Sequence, residues 1–378
     1  MTRFELSINP NYVSHWGIWE ALREIMQNII DRQTESPTSK MFIQYESSNN
    51  LLSMGNLKTE LSPKTLLLGS STKTNNNNLI GKFGEGYKLA FLVMVRSGIR
   101  ISVSTGKSTW EPKIIKSKKF NSEILVIDST TSKYDENLSI SLSGVSPSMY
   151  AEFIQNCIRL DYPKNIINTP YGNILLDEKF KRKIFVAGLF VCSMDNEKCA
   201  YGYDLLPGNI ELDRDRKKVS SFNLYWKTSQ MFSTTPHKYA TTIHSLQTIN
   251  APDIEYIMSF YSQSSPMFTD LCNLSHSEFI KKHGVYAVPV LTTEDATLIK
   301  QKFNHLIPVV LPNNHYIQIT SSASYNNNLT TKYIENNTSP YLIIKNVLEK
   351  NKRYIFGTAL KIITEEILQP SINWSNRK

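Results

Sequence analysis

The chain has 378 residues, 40% hydrophobic and 20% charged, a balance that excludes wholesale disorder and a length that exceeds one ordinary core. Lys and Arg (42) outnumber Asp and Glu (33) to give +9, an excess that favours solubility and permits a nucleic-acid partner without indicating one. No stretch approaches the ~18 apolar residues of a membrane span and the start carries no apolar signal core, so a cytoplasmic protein with no membrane contact is expected.

From Trp16 to Arg32, Trp19, Leu22, Met26, Ile29 and Ile30 recur at helical spacing, with Glu20, Glu24, Gln27, Asn28 and Asp31 on the opposite stripe. A short helix is predicted at Pro63 to Leu68, with Ser62 as N-cap, Pro63 at its first position and Gly69 as its stop. Ser70 to Asn78 is polar and aperiodic and reads as a surface loop. The glycine-rich turn Gly81 to Gly86 leads into an apolar helix, Tyr87 to Val95, and alternating patterns predict strands near Ile99–Ser104, Ile124–Asp128 and Leu138–Leu142.

Beyond a helix starting near Pro147, strands are predicted at Lys183–Cys192, Ala200–Tyr203 and Asn209–Leu212, with Cys192 and Cys199 flanking a hairpin turn as reduced thiols. Helices follow around Ser221–Ser229 and Asp253–Ser262, then a β-α-β unit over Tyr286–Ile319 with its helix at Thr293–Asn304, and a last helix near Tyr341–Leu368. The class is α+β, divided into residues 1–165, 166–285 and a small C-terminal α/β region, 286–378.

On the first helix Glu24, Asn28 and Asp31 share one face at i, i+4 and i+7 and can point at one ligand. A carboxylate there can polarise a water, and an amide oxygen four residues on is the hard ligand that magnesium prefers. A solvated helix face is the other reading. Gly81, Gly84 and Gly86 let backbone approach an anion at a helix start, or else make a tight turn. Lys88 lies in the first turn of that helix, where the helix dipole disfavours a cation unless an anion offsets it.

In order, Leu22 to Asp31, the Ser53-Met54-Gly55 stretch and Gly81 to Gly86 resemble the GHKL superfamily, which includes gyrase-type topoisomerases, ninety-kilodalton heat-shock chaperones, mismatch-repair ATPases and histidine kinases. The resemblance spans roughly residues 15 to 160 and is also similar to phage-encoded members. It implies a Bergerat-type ATP-binding α/β sandwich followed by a transducer-like or middle-like α/β domain. Glu24 would be the general base and Asn28 the magnesium ligand, with Asp31 the acidic residue closing the first motif. Gly81, Lys82, Gly84, Gly86 and Lys88 would surround the phosphates, and the loop with Ser71, Thr72 and Lys73 would act as a lid.

Ser53 stands where the family has an adenine-reading aspartate, ahead of Gly55, and Ser139 and Ser141 are candidates for the hydroxyl of the fourth motif. Asn209 to Arg216 resembles the chaperone segment that carries an arginine to the γ-phosphate. Arg216 is the best match and Arg214 the second, the alternative being a surface Asp–Arg ladder. ATP and magnesium are the implied cofactors. The implied function is ATP hydrolysis driving lid closure and domain docking toward a protein or nucleic-acid partner, with a nucleotide-dependent homodimer implied by analogy. A non-hydrolysing GHKL-fold scaffold is the alternative, and a kinase of the histidine-kinase branch lacks its phosphoacceptor helix.

Overall fold

The computed structural model describes residues 1–67, 79–80, 84–194, 198–210, 220–262 and 265–326. Strand β1 (Thr2–Leu6) runs through a loop into helix α1 (Ile18–Glu35). The helix begins where the Gly17 N–H donates to Glu20 Oε2 at 2.8 Å, satisfying one donor that a helix start leaves open. β2 (Met41–Glu46) and β3 (Leu51–Asn56) pair antiparallel. A 3-10 turn, Pro63–Leu66, replaces the predicted short helix, with Ser62 Oγ accepting the Lys64 N–H at 3.3 Å. Next come α2 (Gly86–Arg96), β4 (Arg100–Ser117), β5 (Ser122–Ser143) and α3 (Pro147–Asn156), the last capped by Ser146 Oγ on the Met149 N–H.

The two strands predicted within 124–142 are one strand of 22 residues. Its polar middle, Ser129 to Asn137, breaks the apolar alternation, but residues there still pair with β4. The pairing shifts register on either side of Gly106, whose φ of 56° suits glycine. β5 is therefore central to the first sheet, with β4 along one edge and β1 and β3 end to end along the other.

Side chains alternate across this sheet. Leu52, Met54, Ile101, Val103, Ile140 and Leu142 join Ile25 and Ile29 of α1 and Phe91 and Met94 of α2 in one buried core, each buried aliphatic contributing about 1.5–3 kcal/mol. On the opposite face Gln44, Ser53, Ser141 and Ser102 form one cross-strand row. Among the described residues, α1 and α2 pack on the apolar face of this sheet.

A second sheet follows, from β6 (Ile166–Thr169), β7 (Gly172–Leu175), β8 (Lys183–Val186), β9 (Leu189–Ser193) and β10 (Gly202–Leu205), in the order β6-β7-β10-β8-β9. β10 runs parallel to β8, on the side away from β9. Cys192 and Cys199 therefore do not flank a hairpin turn; the hairpin is β8–β9, turning at Ala187 and Gly188, both at positive φ. All four cysteines are free thiols. Asn209 and Ile210 lie in a bend, and the rest of the strand predicted at Asn209–Leu212 lies outside the described residues.

Helices α4 (Ser221–Ser233) and α5 (Ala240–Thr248) come next. The helix predicted at Asp253–Ser262 is instead two 3-10 turns, Pro252–Ile254 and Ile257–Ser259. The Asp253 carbonyl accepts the Thr228 and Ser229 hydroxyls, which occupies an acceptor a regular helix would use, while its buried carboxylate accepts the Ala200 and Tyr201 N–H groups and the Tyr203 hydroxyl. After α6 (Pro266–His283), which the periodicity did not reveal, β11 (Ala287–Val290), α7 (Thr293–Lys302) and β12 (Ile307–Val310) form a β-α-β unit with parallel strands that ends short of the predicted Ile319, which lies in α8 (Asn313–Ser321).

The chain is thus mixed α/β with largely antiparallel sheets. The described residues separate into two compact units, one of Met1–Thr235 with Leu246–Phe260 and one of Pro236–Ser245 with those from Tyr261 to Asn326. Position 165 falls between the two sheets of the first unit, and 285 within the second. Among the described residues no helix is long and apolar enough to cross a membrane.

Candidate functional site

Helix α1 does not present its polar stripe to solvent. Glu24 is 6% exposed and Arg23, Gln27 and Asp31 are 1–2% exposed, which removes the solvated-face reading. Buried charges need partners. Arg23 Nη2 lies 3.8 Å from Glu24 Oε1, and the same guanidinium sits 5.9 Å from the centre of the Trp16 ring. Asn28 Nδ2 donates to the Glu24 carbonyl at 2.8 Å, which orients the amide and makes its oxygen the end suited to a hard cation.

The first residue of α2 closes on this stripe. A methyl group on Gly86 would come within 2.7 Å of Glu24 Oε2 and 3.1 Å of Asn28 Nδ2, so only glycine lets α2 start this close to both side chains. Asp31 fixes the approach to that start, since its Oδ1 accepts the Ile80 N–H at 2.8 Å. The Tyr87 hydroxyl is pushed well above its ordinary range, mainly by burial and secondarily by the Asp31 charge. Glu24, Asn28, Asp31 and Gly86, read from two separate sequence segments, are thus one cluster.

Lys88 is held by neutral carbonyl dipoles of the chain and not by the expected anion. Its ammonium donates to the carbonyls of Thr65 at 2.8 Å, Leu67 at 2.7 Å and Gly84 at 2.6 Å, which uses all three of its N–H donors. Burial lowers its pKa, and the side chain is fully enclosed.

The second motif is placed differently from the sequence expectation. Ser53 and Gly55 alternate with Leu52 and Met54, which face the helices, so both lie on the opposite face of the sheet from Glu24 and Asn28. Ser53 Oγ lies 3.5 Å from Ser141 Oγ, and Ser139, opposite Gly55, shares that face. Gly55 is required by packing, because a Cβ there would meet the Leu138 carbonyl oxygen at 1.8 Å. The sequence pattern misled here because it aligned a short motif without fixing which way the strand alternates.

Ser71, Thr72, Lys73, Gly81, Lys82, Arg214 and Arg216, with the lid Ser70–Asn78 and the helix Tyr341–Leu368, lie outside the described residues. Two residues that the sequence reading did not single out support the cluster. Asn56, fully buried on the helix-facing side of β3, donates through Nδ2 to the carbonyls of Ile29 and Ser39, both at 3.0 Å. Arg96 at the end of α2 donates to the carbonyls of Pro10, Tyr12, Val13 and Trp16 at 2.8 to 3.2 Å, pinning the loop that enters α1. The spacing Asn56-x-Met54 shares strand parity with the core, the only sequence signal for the first; a basic residue in a last helical turn was the signal for the second.

No family model matches the chain. A protein of Mycoplasma pneumoniae described as uncharacterized is 26% identical over 232 residues, covering 58% of this chain and 92% of that protein. Among solved structures, the ATPase region of Saccharomyces cerevisiae topoisomerase II bound to ICRF-187 gives a TM-score of 0.35 at 11% identity, covering 53% of this chain and 77% of that one. The ATPase and transducer domains of DNA topoisomerase II from Balamuthia mandrillaris give 0.27 at 13% identity, covering 46% and 60%.

Proposed function

We propose that the chain binds ATP with magnesium in a GHKL-type site between α1 and α2 and hydrolyses it. The observation that carries this reading is the seat of Gly86 against Glu24 Oε2 and Asn28 Nδ2. It joins a carboxylate, an amide and a helix start, three groups suited to a water, a hard cation and phosphate oxygens. The absence of a Cβ at Gly86 lets the backbone of the helix start lie against Glu24 and Asn28, and this set of carboxylate, amide and helix-start donors fits the group.

In this reading Asn28 holds magnesium through its amide oxygen, and the metal supplies charge neutralisation on the phosphates. Glu24 orients a water and takes its proton as the water oxygen bonds to the terminal phosphorus and the bond to the bridging oxygen breaks. The amides at Gly84 and Gly86 receive phosphate oxygens, Asp31 positions the chain before them, and Lys88 acts through Gly84. Gly81, Lys82, Ser71, Thr72, Lys73 and Arg216 keep the phosphate, lid and γ-phosphate roles that the resemblance implies. Domain docking toward a protein partner and nucleotide-dependent pairing of two copies would follow from closure, in a cytoplasmic protein divided near 165 and 285.

A second reading, a GHKL-fold scaffold that hydrolyses little, draws on Ser53. Its side chain faces away from the helices, while the core face of β3 carries Met54 and Asn56 and no carboxylate.

Calorimetric titration of magnesium and ATP into wild type and Asn28→Ala, with phosphate release from wild type and Glu24→Gln, decides between them. Magnesium-dependent binding lost in Asn28→Ala and turnover lost in Glu24→Gln support the ATPase. Binding with no turnover in wild type supports the scaffold. Absence of binding at millimolar ATP overturns both nucleotide readings and leaves a fold used for interaction alone.

A further inference from the structure

Lys88 is a buried cation placed within one helical turn of the phosphate-approaching glycines, yet its ammonium faces backbone oxygens from two separated stretches of chain. Thr65 and Leu67 lie at and just after the 3-10 turn Pro63–Leu66, and Gly84 lies two residues before α2. Three carbonyls at 2.6 to 2.8 Å complete the roughly tetrahedral donor set of an ammonium. A planar guanidinium cannot reproduce that geometry, and an uncharged chain leaves three carbonyl dipoles enclosed without a partner.

We propose that Lys88 is a positioning residue: it fastens the chain around Thr65–Leu67 to Gly84 and thereby fixes the turn that presents Gly84 and Gly86 to phosphate, without itself touching the nucleotide. The proposal builds on the ATP reading for its consequence, but the fastening stands on geometry alone. Two properties follow. The turn is held in the nucleotide-free protein, so loss of Lys88 loosens it before any ligand is present. Because the ammonium is spent on carbonyls, its loss weakens ATP and ADP alike, whereas a residue touching the terminal phosphate would cost ATP and spare ADP.

The test uses the full chain as wild type, Lys88→Met, Lys88→Arg and, as a control in the same 3-10 turn, Lys64→Met, whose side chain is exposed. Amide hydrogen exchange is followed without nucleotide in peptides spanning 60–67 and 84–90, alongside thermal unfolding, and ATP and ADP are then titrated with magnesium. Expected is exchange at least about tenfold faster in both peptides for Lys88→Met and Lys88→Arg, reflecting local opening, with no change for Lys64→Met. Expected too is a loss of affinity on the order of 100-fold, equal for ATP and ADP.

Unchanged exchange in Lys88→Met overturns the fastening, and a loss confined to ATP overturns the positioning role in favour of direct phosphate contact. Faster exchange in a chain whose wild type binds no nucleotide leaves the fastening standing and sinks the ATP reading instead. Should Lys88→Met fail to fold, Lys88→Gln, which keeps two N–H donors, carries the same comparison.

Discussion

Glu24 and Gly86 meet across the two helices so closely that a single added carbon would lie 2.7 Å from the carboxylate oxygen. The contact ties the one buried carboxylate of α1 that faces the helix start to a residue chosen for having no side chain.

Gly86→Ala tests that relationship directly. The methyl group meets side-chain atoms instead of backbone, so Glu24 and Asn28 can shift, and unfolding should cost only about 1 kcal/mol. Displacing both groups should lower phosphate release on the order of 100-fold. Thermal unfolding and steady-state turnover measured on one preparation check the split. Equal loss of both would make Gly86 a packing residue only.

Asp31→Ala removes the acceptor of the Ile80 N–H, a bond to a charged group worth about 2 kcal/mol. Asp31→Asn, which keeps an oxygen, should recover most of the urea midpoint lost by the alanine variant. Protection of the Ile80 amide in hydrogen exchange should follow the same order.

Arg96→Ala releases four carbonyls between Pro10 and Trp16. A loss of about 2 kcal/mol is expected, and Arg96→Lys should fail to restore it because one ammonium cannot span acceptors spread over the loop. Urea unfolding of the three proteins gives the comparison.

Acid should weaken the attachment of β1. Arg3 donates to Asp128 at 2.7 and 3.0 Å and Lys113 adds a third bond at 3.3 Å. These bonds, the one from Arg3 foremost, hold the Asp128 carboxyl below its ordinary value of 3.8 against the opposing effect of burial. A depressed folded pKa adds stability that is fully present above 3.8 and is lost as pH falls through the lower folded value. Wild type should therefore lose more stability than Asp128→Asn as pH falls through that window, followed by urea unfolding at stepped pH.

The parts of this site that lie on helices were legible in the sequence, because α-helical spacing puts Glu24, Asn28 and Asp31 on one face whatever the rest of the chain does. Gly86 was legible for a related reason, a glycine at a helix start beside an apolar run. Ser53 was not, since a strand alternates every residue and a motif match is silent about which face is buried. Nor were the three carbonyls under Lys88, which come from chain 21 and 23 residues away as well as from the preceding turn. β5 was read as two strands because its middle is polar on both faces, and only pairing with β4 reveals its continuity.

That continuity has a consequence for how the protein is made. β1 finds its partner in the same strand that pairs with β3, and the Arg3–Asp128 bond joins residues 125 positions apart. Strand β1 therefore stays without its partner until Ser122–Ser143 has been synthesised. Pairings this distant are slow to form, so β1 spends the synthesis of the intervening chain as an open strand edge that other chains can pair with.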